Sequence, residues 1–272
     1  MEKVSVFLAD WQVLFREGIH FTLSGEEDME VIGEDAENEQ ALAHIEASPP
    51  QVAILNINHD KLSGVEAARR IKQNLPGVSV ILVMDTANEE QLSAAMRCGA
   101  SACLTKDVDP ESVINTIRQV AQGSHPISEA LLKSEIASRV LSEFEALSLI
   151  GEQVGKLLAH LTHQEAEILR HIADGKSKEQ IAGILGISES AISHKLAAIR
   201  QKIVANDQKL MIIEAMQSGL PPIPRISLAG KPAAEYITKE EFDAFKESLR
   251  ERFQSLIGES VKVKRPKEVR RM

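Results

Sequence analysis

Between Glu189 and Lys202 the chain carries side chains that could meet nucleic acid. Ile192, Leu196 and Ile199 recur at spacings of four and three and claim one face of a helix for the core. That leaves Ser190, Ser193, His194, Ala197 and Gln201 facing outward, with Lys195, Arg200 and Lys202 as nearby cations suited to phosphate oxygens. His194 reads equally as a contact to a base and as an idle surface histidine.

Such a helix needs a scaffold, and Leu161 to Leu220 reads by period as four short helices. Ala166, Ile168, Leu169 and Ile172 mark the first, and Ile181, Ala182, Ile184 and Leu185 the second. Ile192, Leu196, Ile199 and Ile203 mark the third, and Leu210, Met211, Ile213, Ala215 and Met216 the fourth. Gly175 and Lys176 separate the first pair, Gly186 breaks before the third, and Ser188 stands in an N-cap position with Glu189 behind it. A short helix, a glycine turn and a second helix form a helix-turn-helix, whose second helix enters the DNA major groove.

The pieces Leu161-Thr162 with Glu165 and Leu169, Gly175 through Ala182, and Ile187 through Ile192 make the likeness specific. On them, without a gap across residues 161–220, the stretch resembles the LuxR-type DNA-binding domain at the C-terminus of NarL/FixJ-family response regulators. The resemblance places Ser193, His194 and Ala197 in base-reading positions. It also places a dimer contact on the helix from Asp207 to Ser218, through Leu210, Met211 and Ile213; the plainer reading of those three is intradomain core. Relatives often carry Lys where Ser193 and Ala197 stand, and its absence implies weaker electrostatic attraction to DNA. An ordinary four-helix module that binds protein is the competing reading of the whole stretch.

Composition sets the frame. At 272 residues the chain is long for one domain at about 150 residues each. A hydrophobic content of 43% and a charged content of 26% are those of a globular protein. No apolar run reaches the roughly 18 residues of a membrane span, and MEKVSVFLAD does not read as a signal peptide. Cys98 and Cys103 are too few and too close for a disulfide framework. The expectation is a cytoplasmic protein with no membrane association, no metal and no cofactor. Charge is uneven: residues 1–123 hold 9 Lys+Arg against 20 Asp+Glu, residues 159–220 hold 7 of each, and residues 221–272 hold 12 against 8. An acidic front half is a poor phosphate-binding surface, so any nucleic acid must meet the back half.

The front half alternates apolar runs with helical patterns. Lys3–Ala9, Met29–Gly33, Val52–Ile57, Val78–Val83 and Ala102–Leu104 read as strands, each followed by a helix. Five such pairs predict a parallel sheet covered on both faces, a flavodoxin-like (βα)5 domain with its site at the carboxyl ends of the strands. From Val4 through Gln122 this half resembles the receiver domain of the same NarL/FixJ family, on the Arg16-Glu17-Gly18 turn, the Cys98-Gly99-Ala100 step and Thr105-Lys106-Asp107. A working receiver, by that resemblance, needs an acidic pair after strand one and a phosphate-accepting Asp at the end of strand three. It also needs a hydroxyl after strand four, then an aromatic in strand five and a Lys after it. Here those positions hold Asp10 with Trp11, Asn56, Met84, Cys103 and Lys106. A carboxamide cannot form an acyl phosphate, and the loss of carboxylates removes most of the reason to bind magnesium. The expectation is a degenerate phosphorylation site. Asp60 and Asp85 are the acids that could substitute, though both read more simply as loop acids. Trp11 could cover a ligand or pack across the strand ends.

From Gly123 the pattern changes to a long helical run with Leu132, Ile136, Val140, Phe144, Leu147, Val154, Leu158 and Leu161 in one stripe, Ser128 before Glu129 at its start. Such a stripe is either a dimerising seam or a strut packed on one domain, and the expectation is a part in dimerisation, since a seam of this length left alone would expose a large apolar face. Past Pro221-Pro222-Ile223-Pro224, Thr238 and Glu241 form a capping box for a helix to about Ile257, with a stripe of Phe242, Phe245, Leu249, Phe253 and Leu256. Val261–Met272 carries six Lys/Arg and one Glu and could lie along phosphate.

Together these readings divide the chain into a pseudo-receiver (1–123), a linker helix (124–160), a LuxR-type domain (161–220) and a C-terminal extension (221–272, with its helix at about 239–257 and its basic tail at 261–272). They predict a homodimeric, sequence-specific transcription regulator on double-stranded DNA, no enzyme, working without phosphorylation. A protein partner on the C-terminal helix is a further expectation. One alternative gates the same regulator by a small molecule in the degenerate receiver site, lined by Trp11, Asn56 and Met84. The other makes the chain an interaction adaptor with weak DNA binding.

Overall fold

The computed structural model describes residues 3–59, 61–149 and 158–217. All the described residues lie in one compact unit. The expected C-terminal helix and basic tail, Asp60, and the Val154 stretch of the linker lie outside the described residues.

Five parallel strands, β1 (Val4–Ala9), β2 (Met29–Asp35), β3 (Val52–Asn56), β4 (Ser79–Met84) and β5 (Ala102–Thr105), lie in the order β2-β1-β3-β4-β5. They alternate with α1 (Val13–Ser24), α2 (Asn38–Ala47), α3 (Gly64–Asn74), α4 (Glu89–Arg97) and α5 (Pro110–Ala121). Every residue of β3 is buried, as a strand covered on both faces requires. On one face Val6, Leu8, Ile54, Ile81 and Val83 meet Ile19 and Leu23 of α1 and Val113, Ile117 and Val120 of α5. On the other, Phe7, Ala53, Leu55, Val80 and Leu82 meet α2, α3 and α4. Helix starts follow side-chain chemistry: Ser63, Asn88 and Asp109 accept from Glu66 N, Gln91 N and Ser112 N at 3.2, 2.9 and 2.9 Å.

The linker departs from the expected single helix. Pro126–Leu132 forms a 3-10 helix, and α6 (Ser134–Leu149) starts only after Lys133, whose backbone is extended. The stripe is spent within the chain, because Ile136, Val140 and Phe144 are buried in the same core as Ile168, Leu169 and Ile172. Of the two readings of that stripe, the described part is the strut.

Residues from 163 onward form α7 (His163–Ala173), α8 (Lys178–Leu185) and α9 (Glu189–Gln217). Capping boxes open α7, from Thr162 and Glu165, and α8, from Ser177 and Gln180. Gly186 closes α8 at φ 65°, the left-handed cap that sets the turn into α9. Ser188 Oγ accepts from Ala191 N at 3.1 Å, the N-cap its position predicts. The expected third and fourth helices are one unbroken helix of 29 residues. Between Lys202 and Asp207 stand Ile, Val, Ala and Asn, with no Gly or Pro to interrupt it. Asn206 instead faces inward and grips the Ala159 backbone, accepting from its N–H at 2.7 Å and donating to its carbonyl at 2.9 Å.

Candidate nucleic-acid interface and strand-end site

The carboxyl ends of β1, β3 and β5 bring Asp10, Asn56 and Lys106 together, as the receiver resemblance implies. Asp10 is buried, and each of its carboxylate oxygens is engaged. Oδ2 accepts from Asn56 Nδ2 at 2.8 Å, Oδ1 accepts from Gln12 N at 2.7 Å, and Lys106 Nζ lies 3.3 Å from Oδ1 and 3.2 Å from Oδ2. Asn56 Oδ1 accepts from Asn58 N at 2.8 Å. Lys106 also pairs with Asp85 at 2.9 Å, and Asn58 Nδ2 donates to that carboxylate at 3.1 Å. The Lys106 bond, then the Asn58 bond, hold the Asp85 carboxyl below its ordinary range.

Trp11 stands half exposed at the rim, its ring centroid 5.5 Å from Lys106 Nζ, a cation–π distance. Met84 is buried in the core on the face that α2, α3 and α4 cover. Burial pushes the Cys103 thiol up to about 12 and the Cys98 thiol up to about 11, so both stay protonated near neutral pH. Sequence reasoning missed four supporting residues. Asn38 Nδ2 donates to the Asn56 and Leu62 carbonyls at 3.0 and 2.9 Å, Arg16 Nη1 to the Asp10 carbonyl at 2.7 Å, and Gln91 Nε2 to Asn58 Oδ1 at 2.7 Å. Asn38, Asn58 and Gln91 come from separate elements, and no local spacing links them.

On α9, Ile192, Leu196 and Ile199 are buried, while Ser190, His194 and Gln201 are exposed and Ser193, Lys195 and Ala197 are half-buried. Of the expected base readers, His194 is therefore open to solvent, while Ser193 and Ala197 are only partly so. Two expected phosphate contacts need correction. Arg200 is buried and donates from Nη2 to the Gly99 and Ala100 carbonyls at 3.2 and 3.0 Å; burial pushes its guanidinium down to about 10. Lys202 pairs with buried Glu165 at 2.5 Å. Burial works against that carboxylate, but the Lys202 bond and those from Thr162 hold it below its ordinary range. A helical wheel assigns a face, whereas another domain or helix decides what that face meets. At the far end of α9, Leu210, Met211 and Ile213 are half-buried and Ile212 is exposed.

Beside Arg200 lies His125, pushed down to about 4 by burial, then by Arg200 and Lys72. Since its folded value lies below the ordinary 6.5, the unfolded chain binds the proton more readily. The stability this contributes is complete above pH 6.5 and is lost as pH falls from there toward 4. Thermal midpoints of wild type should therefore drop more steeply across that window than those of His125→Gln. Superimposed profiles would contradict the assignment.

Residues 6–118 match the response regulator receiver domain, and residues 159–215 match the luxR family of bacterial regulatory proteins. The transcriptional regulatory protein DegU of Brevibacillus brevis is 31% identical over 223 residues, covering 80% of this chain and 94% of that protein. The uncharacterized transcriptional regulatory protein YxjL of Bacillus subtilis is 31% identical over 220 residues, covering 80% and 98%. Among solved structures, the RcsB response regulator of Salmonella typhimurium is similar at a TM-score of 0.44 and 21% identity, covering 81% of this chain and 100% of that one. The chain belongs to the NarL/FixJ family of response regulators, with a receiver domain followed by a LuxR-type helix-turn-helix. It is a DNA-binding transcription regulator of a family that is not enzymatic. No helix among the described residues is long and apolar enough to cross a membrane.

Proposed function

We propose that this regulator binds a specific DNA sequence as a homodimer and does so without phosphoryl transfer, in the cytoplasm. The observation that carries the reading is the Asn56 amide donating to Asp10 at the end of β3. A carboxamide is no nucleophile for forming an acyl phosphate, and its hydrogen bond takes up one acceptor position on the Asp10 carboxylate. Magnesium does not fit this site: it prefers several hard oxygens in octahedral geometry, and here the ammonium of Lys106 already neutralises Asp10. The outward face of α9, with Ser190 and His194 exposed and Ser193 and Ala197 half-buried, supports direct reading of base edges, with Lys195 beside it for phosphate. Leu210, Met211 and Ile213, only half-buried in one copy, support a dimer contact there.

The test is to incubate untreated chain with fragmented genomic DNA at two salt concentrations and sequence what is retained. The expected result is a short inverted repeat, bound equally with and without a small-molecule phosphodonor, and no phosphate on the protein by mass spectrometry. Retention that is diffuse and vanishes with salt would mean non-specific phosphate contact only. Binding that requires the phosphodonor would overturn the phosphorylation-independent reading.

A further inference from the structure

Helix α9 is one rod, so its base-reading end and its far end turn together. Along one side, Arg200, Val204 and Asp207 recur at spacings of four and three and face the receiver. Arg200 donates to the two carbonyls that follow α4, where a cation meets the negative end of the helix dipole. Gly99, at φ +90°, lets the rod approach: a Cβ there would stand 3.6 Å from Val204 Cγ1 and 3.2 Å from Lys72 Cγ. Asp207 Oδ2 accepts from Nε and Nη2 of Arg69 on α3, both at 3.2 Å. None of these contacts involves Ser193, His194 or Ala197; His194 stays exposed with Ser190 and Gln201, and Ser193 and Ala197 are half-buried.

We propose that the receiver holds the reading helix in its DNA-binding orientation through Arg200 and the Arg69–Asp207 pair, which act as positioning residues and do not touch DNA. The proposal rests on the reading of this chain as a regulator that binds DNA without phosphorylation. Its physical basis is pre-organisation. A reading domain loose on its linker must lose orientational freedom each time it binds, whereas one already fixed does not. In a dimer the two reading helices must also sit at matched positions in successive major grooves, so their tilt matters. In this arrangement the receiver need not switch, which is consistent with a strand-end site whose polar groups are already engaged with one another.

The experiment uses the full chain and, as probe, the duplex that wild type retains most strongly from genomic fragments, titrated over a series of salt concentrations. Asp207→Arg and Arg69→Asp should each lower affinity about tenfold, and the exchange of both should restore most of it. Arg200→Ala should lose a similar factor, with the slope of log affinity against log salt unchanged. A slope shallower by about one in Arg200→Ala would put Arg200 on a phosphate and overturn the proposal. Tighter binding by the single reversals would make the contact inhibitory, and unchanged binding would make it idle; either result overturns it too. Thermal unfolding of the same variants without DNA separates the two readings. Restoration by the exchange there shows that the contact exists in solution, even if wild type retains no duplex and the DNA-regulator reading itself falls.

Discussion

Replacing Asn56 with Asp should destabilise the protein by about 2–4 kcal/mol at neutral pH. The amide that donates to Asp10 at 2.8 Å becomes a second carboxylate facing the first, and both residues are buried. Burial and the neighbouring charge both raise the new carboxyl, so the folded variant takes up a proton more readily than the unfolded chain. Its deficit should therefore be largest above neutral pH and shrink as pH falls through that raised value. Magnesium should raise the denaturant midpoint of Asn56→Asp and leave wild type unmoved, because only the variant regains the carboxylate pair such an ion needs. Equal stability of variant and wild type at neutral pH would show that the amide has no part in holding Asp10.

The second large effect concerns the shape of the same strand end. Gly64 opens α3 directly against β3, and a Cβ there would stand 2.3 Å from the Asn56 carbonyl oxygen and 2.9 Å from Ile57 Cα. These are backbone atoms with no rotamer to escape into, and the same carbonyl already accepts from Asn38 at 3.0 Å. Gly64→Ala should therefore cost about 3 kcal/mol, the upper end for overpacking against an immobile neighbour. Gly77→Ala is the matched control, since a Cβ at Gly77 meets nothing within 4 Å; it should stay within about 1 kcal/mol of wild type. Chemical denaturation of both decides the point. A Gly64→Ala protein as stable as the control would mean that α3 can slide off β3 without loss.

How much of this was legible in the residues alone varies by element. The sheet was, because period-two and continuous apolar runs such as Val52–Asn56 distinguish buried strands from the helices between them. The cap at Ser188 was as well, because it acts over three residues, within the reach of sequence spacing. The strand-end residues Asp10, Asn56 and Lys106 were found through the family resemblance, and the fold brings them into hydrogen-bonding distance.

What the sequence by itself determined is what short-range chemistry determines: the alternation of strands and helices, the glycine turn at Gly186, and the identity of the side chain at each strand end. Only the tertiary structure decided which of the cations on α9 stay available. Arg200 and Lys202 share a helix with Lys195, yet the first is buried under two receiver carbonyls and the second is tied to Glu165. It also decided that the Ile136, Val140 and Phe144 stripe is buried within one chain, and that α9 runs on past Lys202 with Asn206 anchored to Ala159. The Arg200, Lys202 and Asn206 contacts reach partners 37 to 101 residues away in sequence. Periodicity reports which face of a helix is apolar, but what that face meets is settled only when distant segments compete to bury it.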